Sequence, residues 1–199
     1  MSYFSLITRP FQEVLITNEG INTIQFLEAT DGLINMFDLF NSPAFAVVQN
    51  DLKSNVQKIR TRYQTDPLAN DTLQALLILE TAEPKKPLAT EALLWLTRGL
   101  DFTSSALHHS LLHPTEELDV SFRLSYDRTL SPHHSFFVRP MFYMAVKSMP
   151  WRQDFYQTIG MVDDVNLNDM QQWLDALKKI VLIIQAIFDA NPDYTKLLV

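Results

Sequence analysis

The 199-residue chain has no cysteine, only four glycines, and no apolar run near the length of a membrane span. Without cysteine there is no disulfide framework, no thiolate nucleophile and no Cys-based metal site, which fits a reducing compartment. Four glycines leave few places for the left-handed turns of β-hairpins, and no alternating strand pattern, repeat or low-complexity tract occurs. Runs such as Ile180-Val-Leu-Ile-Ile184 fall far below the roughly 18 residues a transmembrane helix needs. The start, Met1-Ser-Tyr-Phe-Ser-Leu-Ile-Thr-Arg-Pro10, lacks the basic segment, apolar stretch and small-residue cleavage site of a signal peptide. Positive charge is scarce as well: 16 Lys and Arg stand against 23 Asp and Glu, a net charge of −7. That balance argues against a nucleic-acid binder and against general attraction to anionic membranes. There is no Gly-x-Ser-x-Gly, no metal-ligand spacing and no Gly-rich phosphate loop, so neither enzymatic chemistry nor a cofactor or metal is expected.

What the chain does have is apolar content, 47% of residues, enough for one core in one cytoplasmic domain over residues 1–199. Helical periodicity runs from end to end. Asn22 is placed to cap a helix through Phe40, with Ile24, Leu27, Leu33, Ile34 and Phe37 inward and a stop at Asn41-Ser-Pro43. Further helices are expected over about 44–63, 70–83, 90–112 and 116–129. The next starts at Pro132 and is kinked at Pro140. A short one over 154–159 is stopped by Gly160. A last long helix is capped by Asn166, with Met170, Trp173, Leu174, Leu177, Val181, Ile184 and Phe188 inward. The pattern describes an all-α domain of about eight helices, packed in two layers.

One helix carries an unusual edge. At 100° per residue, Asp51, Asn55, Lys58 and Arg62 fall within roughly 60° of one another. They border the apolar face made by Val48, Leu52, Val56, Ile59 and Tyr63, whereas solvated charges normally sit opposite the core. An acceptor, a mixed donor and acceptor, and a cation lined up where the helix turns inward suit a polyhydroxyl headgroup whose tail enters an apolar interior. A plain surface edge has the same composition. Trp95 lies in Ala89-Thr-Glu-Ala-Leu-Leu-Trp-Leu-Thr-Arg-Gly-Leu-Asp-Phe102, with Gly99 and Phe102 on its face. It reads either as a core tryptophan beside a close helix approach or as a ring platform for a sugar. His134, in Ser131-Pro-His-His-Ser-Phe-Phe-Val-Arg-Pro-Met-Phe142, reads as a water-facing histidine or as a donor to an amide carbonyl. His133, His108 and His109 gain no such partner from the pattern, and adjacent histidines on a helix diverge too far to share a metal.

The order Asp-x3-Asn-x2-Lys, then Ala-Thr-x-Ala-Leu-x-Trp-Leu-x-Arg-Gly-Leu-x-Phe, then a histidine with an aromatic two residues on, resembles the glycolipid transfer protein family. The turn Pro150-Trp-Arg-Gln-Asp-Phe155 does too. The resemblance spans about 22–188 and is similar to the fungal subgroup linked to heterokaryon incompatibility. It implies a two-layer helical sandwich enclosing an apolar lipid chamber. It also implies a non-enzymatic, monomeric carrier that takes a glycosphingolipid of the glucosyl-, galactosyl- or lactosylceramide type from a membrane, sheaths its chains and releases it elsewhere. By the same resemblance Asp51, Asn55 and Lys58 bond the first sugar, Trp95 stacks on it, and Asp51 with His134 holds the ceramide amide. Arg98 matches the family's Arg before Gly, though a surface ion pair is an equal reading.

Two alternatives share the fold: a ceramide-1-phosphate carrier, and a glycosphingolipid sensor that transfers slowly. The phosphate-binding subgroup has Lys in place of Asn55 and Arg near the place of Trp95, and this chain has neither. Two departures from the family pattern stand out. Phe136 occupies a position that is often Trp, and the tail around Tyr194 is out of register, so Tyr194 receives no site role. Docking on a bilayer is expected to use Phe136, Phe137 and Trp151, with Phe137 as readily turned inward, and Lys147 and Arg152 as a local basic rim.

Overall fold

The computed structural model describes residues 2–40, 45–161 and 164–196. Nine α-helices lie among them: α1 Thr23–Met36, α2 Phe45–Thr65, α3 Leu73–Thr81, α4 Leu88–Leu112, α5 Leu118–Thr129, α6 Val138–Lys147, α7 Arg152–Thr158, α8 Asp164–Ala190 and α9 Pro192–Lys196. The only extended pairing among the described residues is two isolated bridges, Ile16 with Ile21 and Asn22 with Thr72. The all-α expectation therefore holds. No described helix is long and apolar enough to cross a membrane.

Helix α4 runs through the middle and packs on α2, α3, α5 and α8, while α1 covers α2. The inward residues expected on α8 are all buried, and Trp173, fully buried, packs against the Phe4 and Phe11 rings at 5.1 and 5.0 Å. Of the residues expected inward on the first helix, Leu27, Leu33, Ile34 and Phe37 are buried and Ile24 is half-buried; the helix expected through Phe40 ends at Met36 and gives way to a 3-10 turn over Phe37–Phe40. Asn22 caps α1 as expected, its side chain accepting from the Gln25 amide. The proposed stop at Asn41-Ser-Pro43 lies outside the described residues.

Several boundaries moved for tertiary reasons. Helix α3 begins at Leu73 rather than Asn70. Asn70 turns its amide back onto the Asp66 carbonyl at 2.9 Å, and the Leu73 amide donates to the Ile21 carbonyl. Helix α4 begins at Leu88, two residues before Thr90, because a distant carboxylate caps it. Buried Glu80 accepts from the backbone amides of Ala89 and Thr90 at 2.9 and 2.7 Å and from the Thr90 hydroxyl at 2.8 Å. Negative charge at a helix N-terminus is favourable, and three amide or hydroxyl donors would otherwise be left bare. Glu80→Ala is expected to cost about 2–3 kcal/mol, seen as a lower denaturant midpoint with an unchanged slope. A loss below about 0.5 kcal/mol would show that water replaces the cap.

The segment around His134 differs most from expectation. Pro132 belongs to a separate 3-10 turn, Ser131–His133, after which His134 is extended at φ −89°, ψ 141°. Helix α6 starts only at Val138, so Pro140 is its third residue. The first turn needs no amide donor, and the expected kink at Pro140 therefore does not arise. Asn166 is the third residue of α8 rather than its cap; its side-chain amide donates to the Gly160 carbonyl at 2.9 Å. Gly160, at φ 77°, follows α7 as expected.

Candidate functional site

Helices α2 and α4 cross where Gly99 meets Leu52. A Cβ on Gly99 would lie 2.7 Å from Leu52 Cδ2, so the glycine permits the close approach. Beside that crossing is a cavity of about 420 Å³. Asp51, Asn55 and Lys58 line it from α2, Glu91, Trp95 and Gly99 from α4, His134 from the turn after α5, and Val138 and Phe142 from α6. All five residues singled out in the sequence as headgroup and amide ligands thus reach one cavity. Arg62, the fourth member of the α2 edge, turns away to Glu83, with Nη1 2.6 Å from Oε1.

Asn55 is buried and donates its Nδ2 to Asp51 Oδ2 at 3.2 Å. Asp51 itself opens on the cavity, yet enough protein surrounds its carboxyl to raise the pKa above the ordinary aspartate value. Burial is the cause, opposed by the Lys58 charge and the Asn55 hydrogen bond. Lys58 makes no hydrogen bond or ion pair among the described residues and is exposed at the rim. The α2 edge is therefore a set of oriented groups with spare capacity, not a closed internal network.

Trp95 is half-buried, with the Arg98 guanidinium carbon 4.7 Å from its ring centroid. Arg98 thus lies on the indole rather than in a surface ion pair, and burial lowers its pKa. The His134 ring lies 6.1 Å from the Trp95 ring at 22° and 4.6 Å from Phe142. Burial lowers the His134 pKa, and the charges of His133, Arg139 and Arg98 lower it further, so imidazole rather than imidazolium faces the cavity at neutral pH. Tyr126 Oη sits 3.1 Å from His134 Nδ1, and burial lifts this phenol to about 12. A phenol that donates to Nδ1 would leave the imidazole proton on Nε2, where it could serve a ligand carbonyl.

A second cavity of about 210 Å³ adjoins the first through shared Val47, Val48 and Phe142, and adds Met141, Met144 and Ala145. Its lining is apolar. The cavity that holds the polar groups thus borders an apolar one at the start of α2. A larger groove of about 850 Å³, at the far end of α4 near Leu112, Tyr156 and Met161, contains none of the residues that line the polar cavity.

Outside the cavity, Phe136 and Phe137 are 80% and 83% exposed and Trp151 is 69% exposed, so neither phenylalanine turns inward. Arg152 is not part of a free basic rim. It folds over the Tyr156 ring at 4.0 Å and donates Nη2 to the Ser110 carbonyl at 3.1 Å. Arg139, exposed and hydrogen-bonded through Nε to the His134 carbonyl, stands nearer the two phenylalanines in the chain. His108 pairs with Asp175 and His109 with Ser121. Among the described residues no group of three or more His, Asp or Glu could hold a metal. Tyr194 packs on Phe188 and does not line the cavity.

Sequence reasoning missed Glu91 and Tyr126. Glu91 lies four residues before Trp95, hence on the same helix face, and that spacing was a usable signal. Tyr126 was not traceable, because its contact with His134 depends on the turn that breaks α5 from α6.

The glycolipid transfer protein (GLTP) family profile matches residues 21–161. The chain belongs to this family. A glycolipid transfer protein of Aureobasidium melanogenum is 42% identical over 183 residues, covering 92% of this chain and 90% of that one. The crystal structure of HET-C2, described as a fungal glycolipid transfer protein, superposes with a TM-score of 0.86 at 39% identity, covering 96% and 98% of the two chains. A structure of FAPP2, described as selecting simple glycosphingolipids with the GLTP fold, gives 0.85 at 26% identity over 96% of each. The human pleckstrin homology domain-containing family A member 8 is 27% identical over 96% of this chain, which spans only 39% of that longer protein. A mouse ceramide-1-phosphate transfer protein, at 18% identity and a TM-score of 0.82, shares the fold.

Proposed function

We propose that this family member binds a glycosphingolipid by its sugar headgroup and ceramide amide and carries it between membranes without chemical change. The observation that carries the reading is the convergence of Asp51, Asn55, Lys58, Trp95 and His134 on one cavity that borders an apolar one. Asp51, Asn55 and Lys58 bond the first sugar, Trp95 stacks on its apolar face, and Asp51 with the Nε2 proton of His134 holds the amide. The relatives' names support the ligand class. Moving a chain of ~16 carbons from bilayer to water costs on the order of 13 kcal/mol at about 0.8 per CH₂, so a carrier must cover the chain, and the apolar cavity at Val47, Val48 and Phe142 is where it would enter; the protein is proposed to act as one monomeric domain at the cytoplasmic face.

A ceramide-1-phosphate carrier would need clustered cations. The cavity lining holds one, Lys58, beside two carboxylates, Asp51 and Glu91. The test follows glucosylceramide and ceramide-1-phosphate from donor to acceptor vesicles while product formation is monitored. Movement of the glycolipid without any new product is expected. Preference for ceramide-1-phosphate, or any product, would overturn the reading.

With a net charge of −7, docking rests on exposed rings that favour the membrane interface, here Phe136, Phe137 and Trp151. Trp151→Ala is expected to slow transfer from neutral vesicles about tenfold, the factor that about 1.4 kcal/mol makes. Affinity for a soluble short-chain glycolipid should persist, and the salt dependence should be modest. Equal loss of both activities would place Trp151 in the fold instead.

A further inference from the structure

The chain has no cysteine, so its seven methionines hold every sulfur atom it has. All but Met1 lie among the described residues, and these divide sharply by position. Met36, Met161 and Met170 are buried in the core, and Met149 is half-buried against it. Met141 and Met144 are 59% and 72% exposed. Both stand on α6, three residues apart and so on one face of the helix. Both also line the apolar cavity, beside Val47, Val48, Phe142 and Ala145. Val47 is exposed as well, so three exposed apolar side chains rim that cavity from α2 and α6. Phe136 and Phe137, the rings proposed to meet the bilayer, stand directly before α6 in the chain.

As an apolar rim, leucine or isoleucine would serve equally well. What methionine adds is chemistry. Its thioether is oxidised to a sulfoxide, which turns a flexible apolar side chain into a polar one, and the sulfoxide can be reduced again. Access decides which thioethers react. An oxidant dissolved in water reaches Met141 and Met144 before it reaches the three core residues.

We propose that Met141 and Met144 form a paired oxidation site at the exposed edge of the apolar cavity, through which a peroxide reversibly lowers the protein's ability to engage a membrane and take up a lipid chain. The inference rests on the carrier and docking readings above and adds a modification that regulates them. At each residue the sulfur lone pair attacks one oxygen of hydrogen peroxide, the O–O bond breaks, an S–O bond forms and water leaves. The sulfur gives up two electrons. A sulfoxide pressed against acyl chains holds a polar oxygen without a hydrogen-bond donor, which is unfavourable. The oxidised rim therefore keeps its water, and the step from bilayer to cavity becomes harder. A thiol-dependent reductase returns the thioether, two thiols becoming a disulfide as the oxygen leaves in water. Both side chains project from the surface instead of filling the core, so the fold survives the change.

The test exposes the protein to dilute hydrogen peroxide, maps each methionine by peptide mass spectrometry, and follows glucosylceramide transfer between phosphatidylcholine vesicles. Met141 and Met144 are expected to oxidise first, while Met36, Met161 and Met170 stay unmodified. Transfer should then fall about tenfold, the factor that about 1.4 kcal/mol makes. Methionine sulfoxide reductase should restore it, which separates the effect from damage to Trp95 or Trp151. In a Met141→Leu, Met144→Leu variant, whatever its own starting rate, the same treatment should leave that rate almost unchanged. Full conversion of both residues with no loss of transfer would reduce them to adaptable apolar lining and overturn the site. An equal loss in the leucine variant, no recovery with the reductase, or earlier oxidation of the core methionines would overturn it as well. If the untreated protein moves no glycolipid, the carrier reading fails, and flotation with phosphatidylcholine vesicles before and after peroxide still decides the site. A bound fraction that peroxide lowers supports it, and one that peroxide leaves unchanged overturns it.

Discussion

Replacing Asp51 by valine is expected to lower glycolipid transfer at least about a hundredfold while the protein stays folded. Asp51 is proposed to accept from both a sugar hydroxyl and the ceramide amide. A ligand donor buried without its acceptor loses roughly 1–3 kcal/mol, and two such donors correspond to about that factor. The fold should tolerate the change because the carboxylate is not at ease where it is. Its pKa is raised by burial, so the folded state binds the Asp51 proton more tightly than the unfolded chain does. Its stability contribution is present below the unfolded value near 4 and lost as pH rises through the folded one. At neutral pH the ionised group is a cost, partly offset by Lys58 and Asn55. The melting temperature of Asp51→Val at pH 7 should therefore be unchanged or raised, less whatever Asn55 loses with its partner. Transfer, circular dichroism and melting measured together decide the matter. An unfolded variant, or one transferring at the normal rate, would make Asp51 a structural residue.

The second large effect is expected at Trp95. If a sugar stacks on the indole, Trp95→Ala should weaken glycolipid binding about a hundredfold, and Trp95→Phe should recover part of it by restoring a flat face. In a Trp151→Phe, Trp173→Phe background the remaining emission should change when glycolipid vesicles are added. Trp173 is a core residue against Phe4 and Phe11, so that background is less stable but keeps a ring at the position. Absence of a spectral response there would return Trp95 to the role of a packing residue. The close helix approach foreseen at this face belongs to Gly99 and Leu52, whereas the indole is half-buried beside the cavity with Arg98 against it.

Helix identity and the α2 edge were legible in the sequence because both are local. The 3.6-residue period places Asp51, Asn55 and Lys58 together on any helix built from this segment. The side chain of Asn22 caps through an amide three residues away. The inward set on α8, from Met170 to Phe188, follows from the same period. The family resemblance added His134 and the pairing of the α2 edge with Trp95, which no spacing along the chain dictates.

What required the tertiary structure were contacts between groups distant in sequence. Glu80 starts α4 two residues early, Arg62 leaves the α2 edge for Glu83, and Arg152 folds onto Tyr156 instead of facing a membrane. Tyr126 meets His134 across the turn that ends α5, and the packing of α4 on α2 brings Glu91 into the cavity beside Asp51 and Lys58. Period, caps and apolar content belong to a segment and are dictated by its own residues. A hydrogen bond or ion pair across helices is decided by the angle and register at which two finished surfaces pack, and those depend on every residue in the interface at once.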